Sequence, residues 1–178
     1  PTVCSEAMEK ALLSLEYEMD TFAPDGGGVE GMAYWHYIVQ YMVLIFQTLE
    51  NAYGTDFGVE AFPGIMQTGY FPIYCSGNPD YFSFGDADYG ARIDSPEIMW
   101  FAKKNGDINL QNARIQQCEN YGYSGQFLGL LWYTASDDER VVLDKDAYYR
   151  NAEVASMRSS WDEFSTWAAF HAGYNSSV

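Results

Sequence analysis

The apolar pattern of this chain changes period near Asp137, and that change constrains the fold more than any other feature. Before it, apolar side chains recur at helical spacing in segments that end at glycine. Beyond it come short runs with aromatic and β-branched residues in partial alternation. The chain is therefore read as mainly α, with helices to about residue 140 and the first strands of an antiparallel sheet after it. Residues 152–160 and 165–172 are the expected strands, joined by a turn at Trp161-Asp-Glu-Phe164. Two strands form no independent sheet. The pattern stops at Val178, where a sheet has only begun, so the chain is read as a fragment of a longer protein.

Within the helical part, residues 4–22 form the first expected helix. Ser5 is its expected N-cap, and Met8, Leu12, Leu15 and Met19 fall on one face. Pro24-Asp-Gly-Gly-Gly28 ends it. The second helix, residues 32–53, is apolar nearly all round, which places it between other helices, and Gly54 stops it. Pro63 is expected to open a short helix that Pro72 limits. A long Gly, Asp and Tyr-rich loop covers residues 76–94. Ser95-Pro96-Glu97 is a good helix start, with Ser95 as N-cap; that helix runs to Lys104 and Gly106 ends it. Residues 107–118 and 124–133 read as two more short helices, and Ser136–Arg140 as a charged connection.

Charge removes several functions. Among 178 residues there are 9 Lys and Arg against 25 Asp and Glu, a formal net charge of -16. Nucleic acid needs a basic face that so few cations do not build. A hydrophobic fraction of 48% argues against disorder despite the charge. Apolar runs such as residues 41–46 fall far short of the ~20 residues that span a bilayer. No basic and then apolar leader opens the chain. Cys4, Cys75 and Cys118 are too widely spaced for a zinc motif and read as three semi-buried thiols, with a disulfide as the alternative, which leaves the redox compartment open.

The residues around the glycine run are more specific. Ala23-Pro-Asp-Gly-Gly-Gly-Val-Glu-Gly-Met-Ala-Tyr-Trp-His-Tyr37 resembles the PDGG-x-x-EG-x-x-YW-x-Y signature of heparinase II/III-like proteins. The segments 49–58, 82–87, 157–162 and 169–175 are similar to that family in the same order and spacing. The resemblance implies an incomplete (α/α) toroid, here residues 1–140, followed by an antiparallel β-sandwich of which residues 141–178 are the start. It also implies a polysaccharide lyase that cleaves beside a uronic acid by β-elimination, in a periplasmic or extracellular setting; no cofactor is expected, and no metal ligands are read in this chain. In such lyases one group neutralises the sugar carboxylate, a base removes the C5 proton and an acid protonates the departing O4. By register Tyr34 is similar to the family tyrosine that serves as acid. The accompanying Asn or His motif would precede Pro1, and a His-x-His motif would follow Val178, so the chain alone is expected to be inactive.

Beside that implication stands the local chemistry. A tyrosine with a pKa near ~10 is a neutral proton donor at pH 7. On a helix His36 lies about 200° from Tyr34, and Glu30, four residues before it, would share its face. A carboxylate there favours the acid role over the base role. Composition by itself makes Tyr34 one of 15 tyrosines packing a helical core. Glu30, Trp35 and His36 are candidates for substrate binding: Trp35 by stacking, as for Tyr37 and Tyr41, and His36 by meeting a carboxylate. Core packing and structural hydrogen bonding are their ordinary roles. Asp86 and Asp88 imitate the start of a calcium loop without its remaining spacing, and His171 sits on an expected strand outside the histidine motif. Asp137-Asp-Glu139 is a solvated connection, and nothing matches a P-loop, a dinucleotide glycine pattern or a Ser-His-Asp set.

Two further functions compete with the lyase. One is a non-catalytic carbohydrate-binding or structural toroid piece. The other is a glycoside hydrolase, which needs paired carboxylates such as Glu30 and Asp86 that no spacing supports. At -16 the chain would repel a heavily sulfated glycan, which favours a less charged uronate polymer or oligosaccharide. Uncovered apolar faces in a truncated toroid predict self-association.

Overall fold

The computed structural model describes residues 2–77, 80–86, 94–122 and 127–173. Among the described residues six α-helices precede a three-stranded sheet: α1 Thr2–Asp20, α2 Met32–Tyr53, α3 Phe71–Tyr74, α4 Glu97–Asn105, α5 Ile108–Tyr121 and α6 Phe127–Trp132. Two 3-10 turns, Val59–Ala61 and Ile65–Tyr70, join α2 to α3. The strands are β1 Asp146–Tyr149, β2 Val154–Arg158 and β3 Trp167–His171, antiparallel in the order β1-β2-β3. Tyr149 pairs with Val154 and Arg158 with Trp167. The mainly α architecture with a following antiparallel sheet is as the sequence pattern implied. Asp88, Ser124 and the tail from Tyr174 lie outside the described residues.

Several local expectations are corrected. Helix α1 starts at Thr2, so Ser5 lies inside it and is no cap. Pro72 sits in the first turn of α3 and opens that helix instead of limiting one, because its fixed φ suits a helix start. Pro96 occupies the N-cap position of α4, and the Ser95 hydroxyl makes no capping bond; it points to His36 instead. Strand β1 was not legible, since its four residues carry too short an alternation.

Where the expectations hold, the cause is local. Gly54 closes α2 at φ 72°, a left-handed conformation in which its N–H reaches the Glu50 carbonyl. Asp107 caps α5, its carboxylate accepting the Leu110 N–H at 3.0 Å. The core gathers Trp35, Phe46, Trp100 and Phe101 from the helices with Phe71 and Ile65, and it continues without a break to Tyr149, Ala152 and Val154 of the sheet region. Arg158 ties the two together. Its guanidinium donates to the carbonyls of Ile73, Tyr74 and Ser76 at 3.3, 3.1 and 3.1 Å and stacks on Trp161 at 3.7 Å.

Helix α2 departs from its expected role. One face is buried through Met32, Trp35, Val39, Met42, Val43, Phe46 and Leu49. The opposite side leaves Tyr34, Tyr37, Tyr41, Leu44 and Ile45 exposed. Helix α1 covers this side only in part, since Met19 is its one buried residue.

Candidate functional site

The turn before α2 is fixed by close backbone approaches. Gly26 has φ 84°, and a Cβ there would lie 2.6 Å from the Thr68 backbone. Gly64 has φ 86°, and its Cβ would fall 2.1 Å from the Phe22 carbonyl oxygen. Only glycine satisfies both demands at each position. Thr68 completes the knot: its hydroxyl donates to the Gly26 carbonyl at 2.6 Å and accepts the Trp35 indole N–H at 2.7 Å. The PDGG sequence thus locks the start of α2 against the Ile65–Tyr70 turn, and the residues after Gly31 are held in place by it.

That frame separates the four candidate residues. Tyr34 stands 41% exposed in the first turn of α2, and among the described residues nothing bonds its hydroxyl. Trp35 is 1% exposed with its N–H already taken, so its ring offers no open face for stacking. Glu30 is exposed and lies in the turn ahead of α2, so the helical spacing that would put it under Tyr34 does not apply. It borders a cavity of about 230 Å³ with Glu18, Thr21, Phe22 and Trp35; Tyr34 and His36 are not in that wall. The Glu30 carbonyl also faces Gly85, where a Cβ would come within 2.6 Å of it.

His36 points elsewhere, as its angle from Tyr34 required. Its Nδ1 lies 3.1 Å from the Ser95 hydroxyl and 3.5 Å from Glu97 Oε2, at the start of α4. Glu97 is buried, and its Oε2 has no hydrogen-bond partner. Both contacts meet the same ring nitrogen, so the three residues are not a Ser-His-acid relay, in which each partner needs its own nitrogen. Tyr37 and Tyr41 are exposed and pack edge to face at 5.3 Å. Asp86 is exposed, and among the described residues no group of three or more His, Cys, Asp or Glu could hold a metal ion. The three cysteines are free thiols, but only Cys118 is half-buried: Cys4 is exposed and Cys75 fully buried.

Sequence reasoning missed the polar lining where helices meet sheet. The Tyr70 hydroxyl donates to the Asp107 carboxylate. Burial first, then that carboxylate, pushes the Tyr70 phenol well above its ordinary range. Burial and then Asp144 raise Tyr74, and burial dominates the rise at Tyr149. No spacing in the chain announces this group, because Asp25, Tyr70, Asp144 and Tyr149 are brought together by the return of β1 onto the glycine turn. The Arg150 N–H donates to Asp25 Oδ2 at 2.8 Å and fixes that return.

No protein-family model matches this chain, and no curated protein matches it. Among the described residues no helix is long and apolar enough to cross a membrane.

Proposed function

We propose that this chain is the helical core and first strands of a toroid-type polysaccharide lyase acting on a uronate-containing glycan, with Tyr34 as the proton donor to the leaving O4. One observation carries the reading. Tyr34 alone of the Tyr34–Trp35 pair keeps its polar end open, on a helix start whose position the Gly26–Thr68–Trp35 knot fixes. A neutral phenol held this way can deliver a proton as the glycosidic bond breaks. Glu30 stands exposed in the turn ahead of α2 and is the proposed substrate contact that stays open to solvent. His36, committed to Ser95 and Glu97, serves better to anchor α2 to α4 than to bind the sugar. The base and the group that neutralises the uronate carboxylate belong to other parts of the parent enzyme in this reading.

The test uses the full-length parent and the ultraviolet absorbance of the unsaturated uronate product. Tyr34→Phe keeps the ring and removes the hydroxyl, so turnover should fall by about 10²–10⁴. Stability should change by no more than ~1 kcal/mol. Tyr37→Phe should turn over normally. Full activity of Tyr34→Phe on the parent's substrate would make Tyr34 a packing residue. The chain by itself should show no turnover on any uronate polymer.

A second reading draws on the exposed Tyr37–Tyr41 pair. In it the chain is a non-catalytic carbohydrate-binding piece, with those rings as the platform. Binding of uronate oligosaccharides that is abolished by Tyr37→Ala, in a parent without lyase activity, would favour it. Self-association belongs with either reading. The α1–α2 groove, about 580 Å³ and lined by Leu12, Leu15, Leu44 and Ile45, is an uncovered apolar face. Sedimentation that shows a strict monomer at high concentration and moderate salt would count against it.

A further inference from the structure

An open cleft of about 420 Å³ lies where the Ile65–Tyr70 turn, α3 and the strand β1 meet. Two carboxylates, Asp25 and Asp144, and three phenols, Tyr70, Tyr74 and Tyr149, make up most of its wall. One amide and two aliphatic side chains, Gln67 with Val142 and Leu143, complete it. None of these described lining residues is Lys, Arg or His. Among the described residues the Asp25 carboxylate accepts one hydrogen bond, from the Arg150 backbone N–H, and its Oδ1 is buried without a partner. Buried carboxylate oxygens are ordinarily paired, so a single neutral donor leaves most of this charge unbalanced. Arg158, the cation behind Tyr74, does not serve it, because the guanidinium is turned to the carbonyls of Ile73, Tyr74 and Ser76.

We propose that this cavity binds a small organic cation, an alkylammonium ligand, in the negative field of Asp25 and Asp144. The ammonium N–H groups would be accepted by the Asp144 carboxylate and the phenol oxygens, while the alkyl part lies against the tyrosine rings, Val142 and Leu143. Aromatic walls with carboxylates and no competing base are the surroundings in which ammonium groups are recognised, by ring quadrupole and charge together. A volume of about 420 Å³ accommodates a short diamine. The raised phenol of Tyr74 agrees with this: burial comes first and Asp144 adds to it, whereas at Tyr70 the added carboxylate is Asp107, outside this wall. This site stands apart from Tyr34 and does not rest on the lyase reading.

The probe is 1,4-diaminobutane, with 1,4-butanediol as its neutral counterpart, titrated into the protein at pH 7 and followed by backbone and side-chain amide NMR shifts. Saturable one-site shifts at the Arg150 amide and the Gln67 side-chain amide, given by the diamine and not the diol, are expected. Asp144→Asn lies on an exposed segment and should fold normally while weakening the diamine about tenfold or more. Asp25→Asn keeps an oxygen for the Arg150 N–H and should weaken it likewise; if that variant fails to fold, Asp144→Asn decides. Absence of saturable shifts, an equal response to the diol, or unchanged affinity in Asp144→Asn would overturn the proposal. So would displacement of the diamine by equimolar Mg²⁺, since that marks diffuse attraction to a chain of net charge -16.

Discussion

Tyr34 and Trp35 are neighbours in the chain, yet about 100° of helix rotation puts them in opposite environments. Trp35 is sealed against the Gly26–Thr68 knot, and its indole N–H is used there. Tyr34 faces outward with its hydroxyl open. The difference teaches where constraint lies in this molecule. The buried side is closed by backbone-to-backbone approaches that tolerate no added atom, while the open side carries the groups able to meet a ligand. Both arise from one sequence motif, which is why the motif by its presence does not say which of its residues are structural.

The sharpest way to break this contrast is at the glycines. Gly64→Ala would drive a Cβ to 2.1 Å from the Phe22 carbonyl at φ 86°, with backbone on both sides and nothing able to give. It should remove most of a typical stability of about 5–15 kcal/mol and leave no cooperative urea transition. Gly54→Ala has the same handedness, φ 72°, but nothing within 4 Å, and should lose only about 1–2 kcal/mol. Equal loss at the two positions would mean that the close approach is not what the buried side depends on.

Next come the side chains that close the knot. Trp35→Ala should cost about 3–5 kcal/mol through a cavity in the core. Tyr34→Ala on the open side should shift stability by no more than ~0.5 kcal/mol. Arg158→Ala leaves three carbonyls without their donor and should approach the Trp35 value, about 3–5 kcal/mol, with Arg158→Lys rescuing only part because an ammonium lacks the planar fork. Urea denaturation ranks them, and a Tyr34→Ala loss matching Trp35→Ala would erase the distinction.

The smallest expected effect is a titration on the outer side. Asp56 accepts the N–H groups of Gly58 and Glu60 at 3.1 and 3.0 Å. The Glu60 N–H above all holds its carboxyl below the usual range, although partial burial works the other way. A lowered folded pKa stabilises above the unfolded value of 3.8, and that contribution is lost as pH falls through the folded value. Asp56→Asn should therefore lower stability at pH 7 by ~1 kcal/mol or less and flatten the acid limb below about pH 4. A variant whose stability falls with acid as steeply as the parent's would show that other carboxylates set that limb.

Lys104 illustrates how the same helices are joined outside the core. Partial burial alone would lower its pKa, but Glu50 and Glu60, at 2.8 and 2.9 Å, outweigh that and raise it. The α2 end, the Val59–Ala61 turn and α4 thus meet at one ammonium. The residues are 54 and 44 positions away in the chain, and no local pattern connects them.

The sequence by itself determined the mainly α class, the region where helices give way to strands, the approximate span of α2 and its stop at Gly54. These follow from side-chain period and from glycine's access to left-handed backbone, both local properties. It also singled out the glycine run before α2 as a special turn. The tertiary structure alone decided that α2 is buried on one face and open on the other, that Trp35 is sealed while Tyr34 is not, and that His36 belongs to Ser95 and Glu97. It alone placed Asp25 beside Tyr149. Each of these rests on segments distant in sequence closing onto one another, and the energy of such contacts depends on shape and burial that no window of residues encodes.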